Sequence, residues 1–367
     1  MKIRTFFLAG ALVASFAVSL PVNACTGITL TSRDSTAIVA RTIEWGGSDL
    51  NSQYVIVPRG YTQHSYTPDG TQGMSFTARY GYVGLAVEQK DFIAEGINEA
   101  GLSAGLFYFP NYGEYETYNP SQKDASIADL QLVSWILGQC ATIDEVMESV
   151  RQAHVIAIDP RASTVHWRFA DPAGRQVVLE ITGGEPKFYE NTLGVLTNSP
   201  GFEWHLTNLN NYVTLYPGSA PSQPLGNVRL ASFGAGSGFL GIPGDVTPPS
   251  RFIRAAFYQA TAPRQENAEK TVLQAFQILN NFDIPVGIEF AGGKVPADIP
   301  SATQWTSATD MKHRIIYFRT MYNSEIRSIR LKDIDFSKVF YQAVPLDKVK
   351  QQPIRTISIT DYSQSEI

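Results

Sequence analysis

Short apolar stretches with strand-like alternation, separated by turn residues, dominate the chain from position 25 onward. TGITLT (26–31) and TAIVARTIEW (36–45) flank the turn-rich SRDS (32–35), a pattern that predicts an antiparallel hairpin. QYVIVP (53–58) predicts a further strand. FIAEGIN (92–98) and LSAGLFYF (102–109) flank Glu99-Ala100-Gly101, and TVHWRFAD (164–171) and RQVVLEIT (175–182) flank Pro172-Ala173-Gly174. RIIYFRTM (314–321) and IRSIRL (326–331) predict another hairpin. Helical spacing interrupts this pattern. Apolar residues at Ile127, Leu130, Leu132, Val133 and Ile136 predict a helix over 127–138. Thr142 and Glu145 form a capping-box signature ahead of Val146 and Val150, and 250–261 and 268–280 also read as helices. Hairpin-paired strands with helices between the groups predict an α+β chain of antiparallel sheets covered by helices, not βαβ units. No repeat or long linker divides the chain, so 25–367 reads as one domain, and its polar tail from Lys350 is assigned no role.

The first 24 residues follow a different pattern. Lys2 and Arg4 precede an uncharged apolar run from Phe6 to Leu20, and Val22-Asn23-Ala24 then supplies small or aliphatic residues before a cut. This is the pattern of a secretory signal peptide over 1–24, cleaved at Ala24/Cys25, which predicts an exported protein, periplasmic or secreted. The run is short for a membrane span, and no later stretch reaches about 18 apolar residues, so no membrane insertion is expected after processing. Val22-Asn23-Ala24-Cys25 also partly resembles a lipobox, although Asn is atypical there, and lipidation would acylate the amine that cleavage exposes.

At 44% hydrophobic and 17% charged, the chain can bury a sizeable core, and without a Lys/Arg-rich run nucleic acid is not an expected partner. There are only two cysteines, Cys25 and Cys140, so the chain is no disulfide scaffold. One Cys25–Cys140 bridge is open on paper, but Cys140 ends an apolar helical stretch and reads as a small buried hydrophobe.

Cleavage before Cys25 would put a thiol and a free α-amine on one residue. Their reference pKa values are about 8.5 and about 7.7–8.0, so the amine can serve as the base for its own nucleophile near neutral pH. The five histidines show no motif spacing, which leaves a Cys–His dyad without positive support. Arg41 lies on the returning strand of the first hairpin, where a guanidinium beside the sulfur would favour the thiolate, and Glu44, three residues on, could hold an α-ammonium. A solvated strand face is the plain alternative for both. Thr197-Asn198-Ser199-Pro200 ends an apolar strand, where an amide could serve an oxyanion or merely make a turn. Gly236-Ser237-Gly238-Phe239-Leu240-Gly241 fits G-x-G-x-x-G by letter but lies outside any βαβ unit, so a mobile loop near a pocket is the better reading. Thr247 can cap a helix with Pro248 or Pro249 in its first turn and Arg251 beside them. No metal motif occurs, so neither metal nor cofactor is expected.

CTGITLT, ARTIEWGG with VIVPRG, GINEAGLSAGL, VLTNSPGFEWHLTNLNNY, GIPGDVTPPSRFIRAAF and QWTSATDMKHRIIYFRT together resemble the choloylglycine hydrolases, N-terminal nucleophile amidases that include bile salt hydrolases and penicillin V acylases. The resemblance covers Cys25 to about Leu331. It implies a four-layer αββα sandwich, hydrolysis of a small-molecule amide such as a glycine- or taurine-conjugated bile salt, and assembly as a homotetramer. It also implies roles: Cys25 as nucleophile, Arg41 beside it, Asn198 as oxyanion amide and Arg251 as a second arginine, with Glu44 where the family carries Asp. An apolar acyl group would meet Phe107, Tyr108 and Phe202. Where bile salt hydrolases have the Asn of GLNFP, this chain has Phe107 or Tyr108. Tyr at that place resembles the penicillin V acylases and points to penicillin V or an acyl-homoserine lactone as the alternative substrate. Outside this class, a non-catalytic exported binding protein would keep the fold and lose the chemistry.

Overall fold

A computed structural model of the chain describes residues 24–45, 49–159, 163–289 and 302–359. It opens with β1 (Ala24–Thr31) and β2 (Ala37–Trp45), then β3 (Gln53–Val57), a small hairpin of β4 (Thr62–Tyr66) and β5 (Gln72–Thr77), β6 (Tyr82–Ala86), β7 (Ile93–Asn98) and β8 (Ser103–Tyr108). A short β9 (Ser126–Ala128) leads to α1 (Leu132–Gln139) and α2 (Ile143–Arg151), followed by β10 (His154–Ile156). Next come β11 (Val165–Ala170), β12 (Gln176–Thr182), β13 (Glu185–Glu190) and α3 (Phe202–Asn208). An exposed hairpin of β14 (Gln223–Leu225) and β15 (Val228–Leu230) precedes α4 (Pro248–Thr261) and α5 (Ala268–Leu279). The chain returns through β16 (Ala302–Asp310), β17 (Ile315–Thr320), β18 (Asn323–Arg330) and β19 (Gln342–Pro345).

Two antiparallel sheets form the body. One has the order β1-β2-β16-β17-β18, the other β13-β12-β11-β8-β7-β6-β3-β19. α4 and α5 pack on the first sheet, α1 and α2 on the second, and β1 and β17 face β8 and β7 across the middle. This is the four-layer αββα sandwich expected from the sequence. Central strands are covered on both faces, by helices on one side and by the other sheet on the other. β2 shows the consequence: AIVARTIEW is buried from Ala37 to Glu44, so its Arg and Glu are interior residues and not a solvated face.

Each hairpin read from the sequence forms, with β1 to β2, β7 to β8, β11 to β12 and β17 to β18 paired in antiparallel register. The helix expected over 127–138 is shorter. Ser126–Ala128 pairs in parallel with β10, a 3-10 turn follows, and α1 starts at Leu132. Tertiary bonds override the local spacing there: Ala128 N–H donates to Ser65 Oγ at 2.8 Å, and Tyr66 N–H donates to Gln131 Oε1 at 2.7 Å. Thr142 caps α2 as expected, accepting from Glu145 N–H at 3.2 Å. β16 was not legible, because its ATQWTSATD lacks a β-branched apolar run. Cys25 and Cys140 are both free.

One glycine fixes the spacing of the layers at the chain start. Gly27 lies over Phe107, where an added Cβ would sit 2.9 Å from that ring and 3.4 Å from the Leu196 carbonyl oxygen. Gly27→Ala is therefore expected to lower stability by about 2 kcal/mol through overpacking, read as a reduced midpoint in chemical denaturation with an unchanged slope.

Candidate active site

The β1–β2 register decides which side chains share a face. Cys25 stands opposite Ile43, and Gly27 opposite Arg41. Strand alternation therefore turns the Cys25 and Arg41 side chains to the same side, toward the eight-stranded sheet. There Arg41 Nη2 donates to Cys25 Sγ at 2.8 Å. Arg41 Nη1 donates to the Ala94 carbonyl at 3.1 Å and to the Leu106 carbonyl, while Nε donates to the Thr42 carbonyl at 3.2 Å. The guanidinium lies 4.0 Å from the Phe107 ring centre and 5.6 Å from that of Trp305. It is fully buried, held by backbone oxygens, a sulfur and aromatic faces, with the Glu95 carboxylate 3.8 Å from Nη1.

β1 is an edge strand, so the outward-pointing backbone groups of Cys25 and Gly27 need partners from elsewhere. Gly27 exchanges two hydrogen bonds with Leu196, at 2.7 and 3.1 Å. Two residues on, the Asn198 side chain takes over: Cys25 N–H donates to Asn198 Oδ1 at 2.8 Å. The same oxygen accepts from Arg251 Nη2 at 2.8 Å, and Asn198 Nδ2 donates to the Tyr108 carbonyl at 2.7 Å. These partners fix the orientation of the amide. One Nδ2 hydrogen is used on Tyr108, and the second has no partner among the described residues. Arg251, from the first turn of α4, also donates to the Cys25 carbonyl, to Thr26 Oγ1 at 2.8 Å and to the Val246 carbonyl at 2.9 Å. Two buried histidines anchor the same segment: His166 Nε2 is 3.0 Å from the Thr197 carbonyl and His205 Nε2 is 2.8 Å from that of Asn198.

Glu44 lies on the other face of the hairpin. It stands opposite Ala24, toward the helix layer, and its Oε1 accepts from Thr303 Oγ1 at 3.2 Å. The Cys25 peptide N–H is held by Asn198, and among the described residues Glu44 makes no hydrogen bond to it. Burial, opposed by the Arg251 and Arg41 charges, pushes the Glu44 carboxyl up to about 7. Burial also raises the Cys25 thiol; Arg41 opposes it, Glu44 adds to it, and the Tyr108 backbone N–H and Arg251 pull it down. The expected pull of Arg41 on the thiolate is thus present, but burial outweighs it.

The three aromatic residues expected around a ligand separate. Phe107 is sealed beneath Arg41. Phe202 is 1% exposed and packs against Tyr189 and Phe252. Only Tyr108 stays half-buried, edge-on to Trp45 with ring centres 6.5 Å apart and its hydroxyl 2.7 Å from Ser163 Oγ. The G-x-G-x-x-G segment forms a 3-10 turn at Ser237–Phe239 beside the exposed hairpin, and Gly238 N–H bonds to the Gly218 carbonyl. The structure adds residues that sequence reasoning passed over: Thr303, His166, His205, Glu95 and Arg168. A charged Glu and a charged Arg inside the largely apolar strands IAEGIN and VHWRFA were the available signal for the last two. Of the signal peptide expected over 1–24, residues 1–23 lie outside the described residues, while Ala24 is part of β1 and 1% exposed. Among the described residues no group of three or more His, Cys, Asp and Glu could hold a metal ion, and no helix is long and apolar enough to cross a membrane.

The arrangement brings a sulfur, a fixed guanidinium, a backbone N–H, an amide and the nitrogen of the same cysteine into one buried cluster, a set suited to attack on a carbonyl. Comparison with known proteins agrees. Residues 25–342 match the family described as linear amide C-N hydrolases, choloylglycine hydrolase family. A bile salt hydrolase/transferase of Clostridium perfringens is 30% identical over 83% of this chain and 92% of its own length. A penicillin V acylase of Pectobacterium atrosepticum is 26% identical over 84% of this chain and 81% of its own. The crystal structure of a conjugated bile acid hydrolase from Clostridium perfringens superposes with a TM-score of 0.78 at 28% identity, covering 91% of this chain and all of that one. The solved variants of that enzyme replace a cysteine by alanine and an arginine by leucine, sixteen positions apart, the spacing of Cys25 and Arg41 here.

The raised Glu44 carboxyl makes stability depend on pH. The folded chain holds this proton up to about 7, whereas the unfolded chain releases it near 4.5. Stability from this group is therefore complete below the lower value and is lost as pH rises to the upper one, by about 3 kcal/mol in all. Glu44→Gln should flatten that fall, as measured by urea unfolding between pH 4.5 and 7.5.

Proposed function

From the premise that this chain belongs to the choloylglycine hydrolase family and hydrolyses linear amide C–N bonds, we propose that it is an exported enzyme that uses Cys25 as an N-terminal nucleophile to cleave glycine- or taurine-conjugated bile salts. One observation carries the reading. The sulfur of Cys25 is 2.8 Å from Arg41, and the nitrogen of the same residue is 2.8 Å from Asn198. Cutting the Ala24–Cys25 bond turns that nitrogen into an amine in reach of its own thiol.

The amine takes the thiol proton, and the sulfur attacks the amide carbonyl carbon. The oxygen of the tetrahedral intermediate is stabilised by the Tyr108 backbone N–H and the second Nδ2 hydrogen of Asn198. The α-ammonium returns its proton to the leaving nitrogen, which departs as glycine or taurine. Water, deprotonated by the same amine, then opens the thioester. Arg41 acts as the counter-charge of the thiolate. Arg251 and Asn198 hold the amine and its carbonyl in place, and Glu44 balances the charge of Arg251 from the helix side. Because Ala24 is buried in β1, cleavage during export, before β1 pairs, is the order of events that gives a peptidase access.

The half-buried Tyr108 edge-on to Trp45 favours a second reading, in which an aryl acyl group such as that of penicillin V stacks at this rim. Self-association, as a homotetramer, is supported by exposed apolar side chains on the segment that carries β14 and β15, among them Val213, Leu225, Val228, Phe233 and Leu240.

Intact mass of the exported protein should begin at Cys25 with an unmodified amine. Cys25→Ala should fold normally and lose activity by about a thousand-fold or more, and an active, correctly processed Cys25→Ala would sink the mechanism. Initial rates on glycocholate, taurocholate, penicillin V and an acyl-homoserine lactone rank the substrates, and a preference for penicillin V would replace the bile salt reading. Sedimentation should show a tetramer, and a monomer would remove the assembly.

A further inference from the structure

Behind Arg41 lies a second buried ion pair that the chemistry above does not use. Glu95 on β7 and Arg168 on β11 each stand opposite Gly105 of the strand between them. An added Cβ at Gly105 would sit 2.2 Å from Glu95 Oε2, so only glycine lets the two side chains meet across the middle strand. Through that gap Arg168 Nη2 donates to Glu95 Oε1, which also accepts from Ser103 Oγ at 3.4 Å. Both ends of the pair are 1% exposed. The other Glu95 oxygen lies 3.8 Å from Arg41 Nη1, and Arg41 Nη2 is the group on Cys25 Sγ. Arg41 and Arg168 also share the Phe107 ring, at 4.0 and 5.8 Å from its centre. Sulfur, guanidinium, carboxylate and guanidinium thus form one connected series that alternates in sign once the sulfur is ionised.

The charges in this series do not cancel while Cys25 is a thiol. Burial raises the Glu95 carboxyl, while Arg168 and Arg41 favour its ionised form; with Glu95 ionised the two arginines outweigh it by one positive charge, and ionising Cys25 removes the excess. The other charged groups near the cysteine are Arg251 of α4, Glu44 of β2, which offsets Arg251 only once it ionises above about 7, and the α-amine of Cys25 once it is free. We propose that Glu95 and Arg168 are positioning residues for the amidase reaction: they hold Arg41 between the sheets and set the charge balance against which Cys25 ionises. The proposal rests on Cys25 being the nucleophile. Its distinctive consequence is that two residues of one ion pair act in opposite directions. Removing the Arg168 charge makes ionisation of the sulfur harder, and removing the Glu95 charge makes it easier. Each effect should be about one pH unit at the separations and effective dielectric of such a site.

The experiment follows alkylation of Cys25 by iodoacetamide against pH in the processed enzyme, with peptide mass spectrometry to read Cys140 separately. In Arg168→Met the midpoint should rise by about one pH unit, in Glu95→Gln it should fall by about as much, and in the double variant it should return to within about 0.3 of the parent. The pH profile of kcat should move with it while KM stays within about twofold. Arg168→Lys keeps the charge and should keep the parental midpoint. A purely structural pair would lower the melting temperature without separating the midpoints. Midpoints that stay fixed, or that move the same way in both single variants, overturn the proposal. If Arg168→Met does not fold, the sign of the Glu95→Gln shift alone decides. Hydrolysis surviving in Cys25→Ala would refute the nucleophile itself, an outcome the alkylation midpoints do not depend on.

Discussion

A single buried guanidinium ties this structure together. Arg41 rises from β2 of the five-stranded sheet, binds two carbonyls on β7 and β8 of the other sheet, and ends on the sulfur of Cys25. A charge in a low-dielectric interior is tolerated only where every side of it is answered. Here the answers are backbone oxygens, the Phe107 face and, a little farther off, Glu95. Because those partners belong to both sheets, the sandwich holds Arg41 rigid, and Arg41 in turn fixes where the sulfur stands. Both sheets must pack before the cluster around Cys25 exists.

The edge of β1 supplies the second half of the logic. Edge strands carry unpaired backbone groups, and at Cys25 those groups are satisfied by side chains in place of a neighbouring strand. Asn198 takes the nitrogen, Arg251 takes the carbonyl, and Leu196 pairs with Gly27 just beyond. The residue whose nitrogen the proposed chemistry would use is thus the one whose nitrogen the fold leaves for a side chain to hold. The buried histidines at 166 and 205 extend this by gripping the carbonyls of Thr197 and Asn198.

Electrostatics at the site is a contest between burial and charge. Burial alone raises both the Cys25 thiol and the Glu44 carboxyl, and the arginines pull both back. The strand alternation of β2 keeps these two acids apart, with Arg41 and the sulfur on the inter-sheet face and Glu44 with Thr303 on the helix face. Arg251 reaches the intervening backbone, so it touches the Cys25 carbonyl while also offsetting the Glu44 charge.

The sequence by itself determined much of this protein. Period-two patterning and turn residues were enough for each of the predicted hairpins, and with the block-wise resemblance they gave the four-layer class and the amidase family. Cys25 and Arg41 were readable as neighbours because a hairpin makes their contact local. What only the tertiary structure decided depends on contacts between residues far apart in the chain. Register between β7, β8 and β11 places Glu95 against Arg168 across Gly105, and no local signal encodes that row. Packing sealed Phe107 of β8 and Phe202 of α3 away, although both read as ligand-facing, because an aromatic residue carries no local mark of which layer it will fill. Glu44 was read beside Arg41, and strand parity places the two side chains on opposite faces of the hairpin. The physical reason is the same throughout: sequence fixes local periodicity, whereas the side of a sheet, the partner across two strands and the burial of a charge are set only when separate elements close around one another.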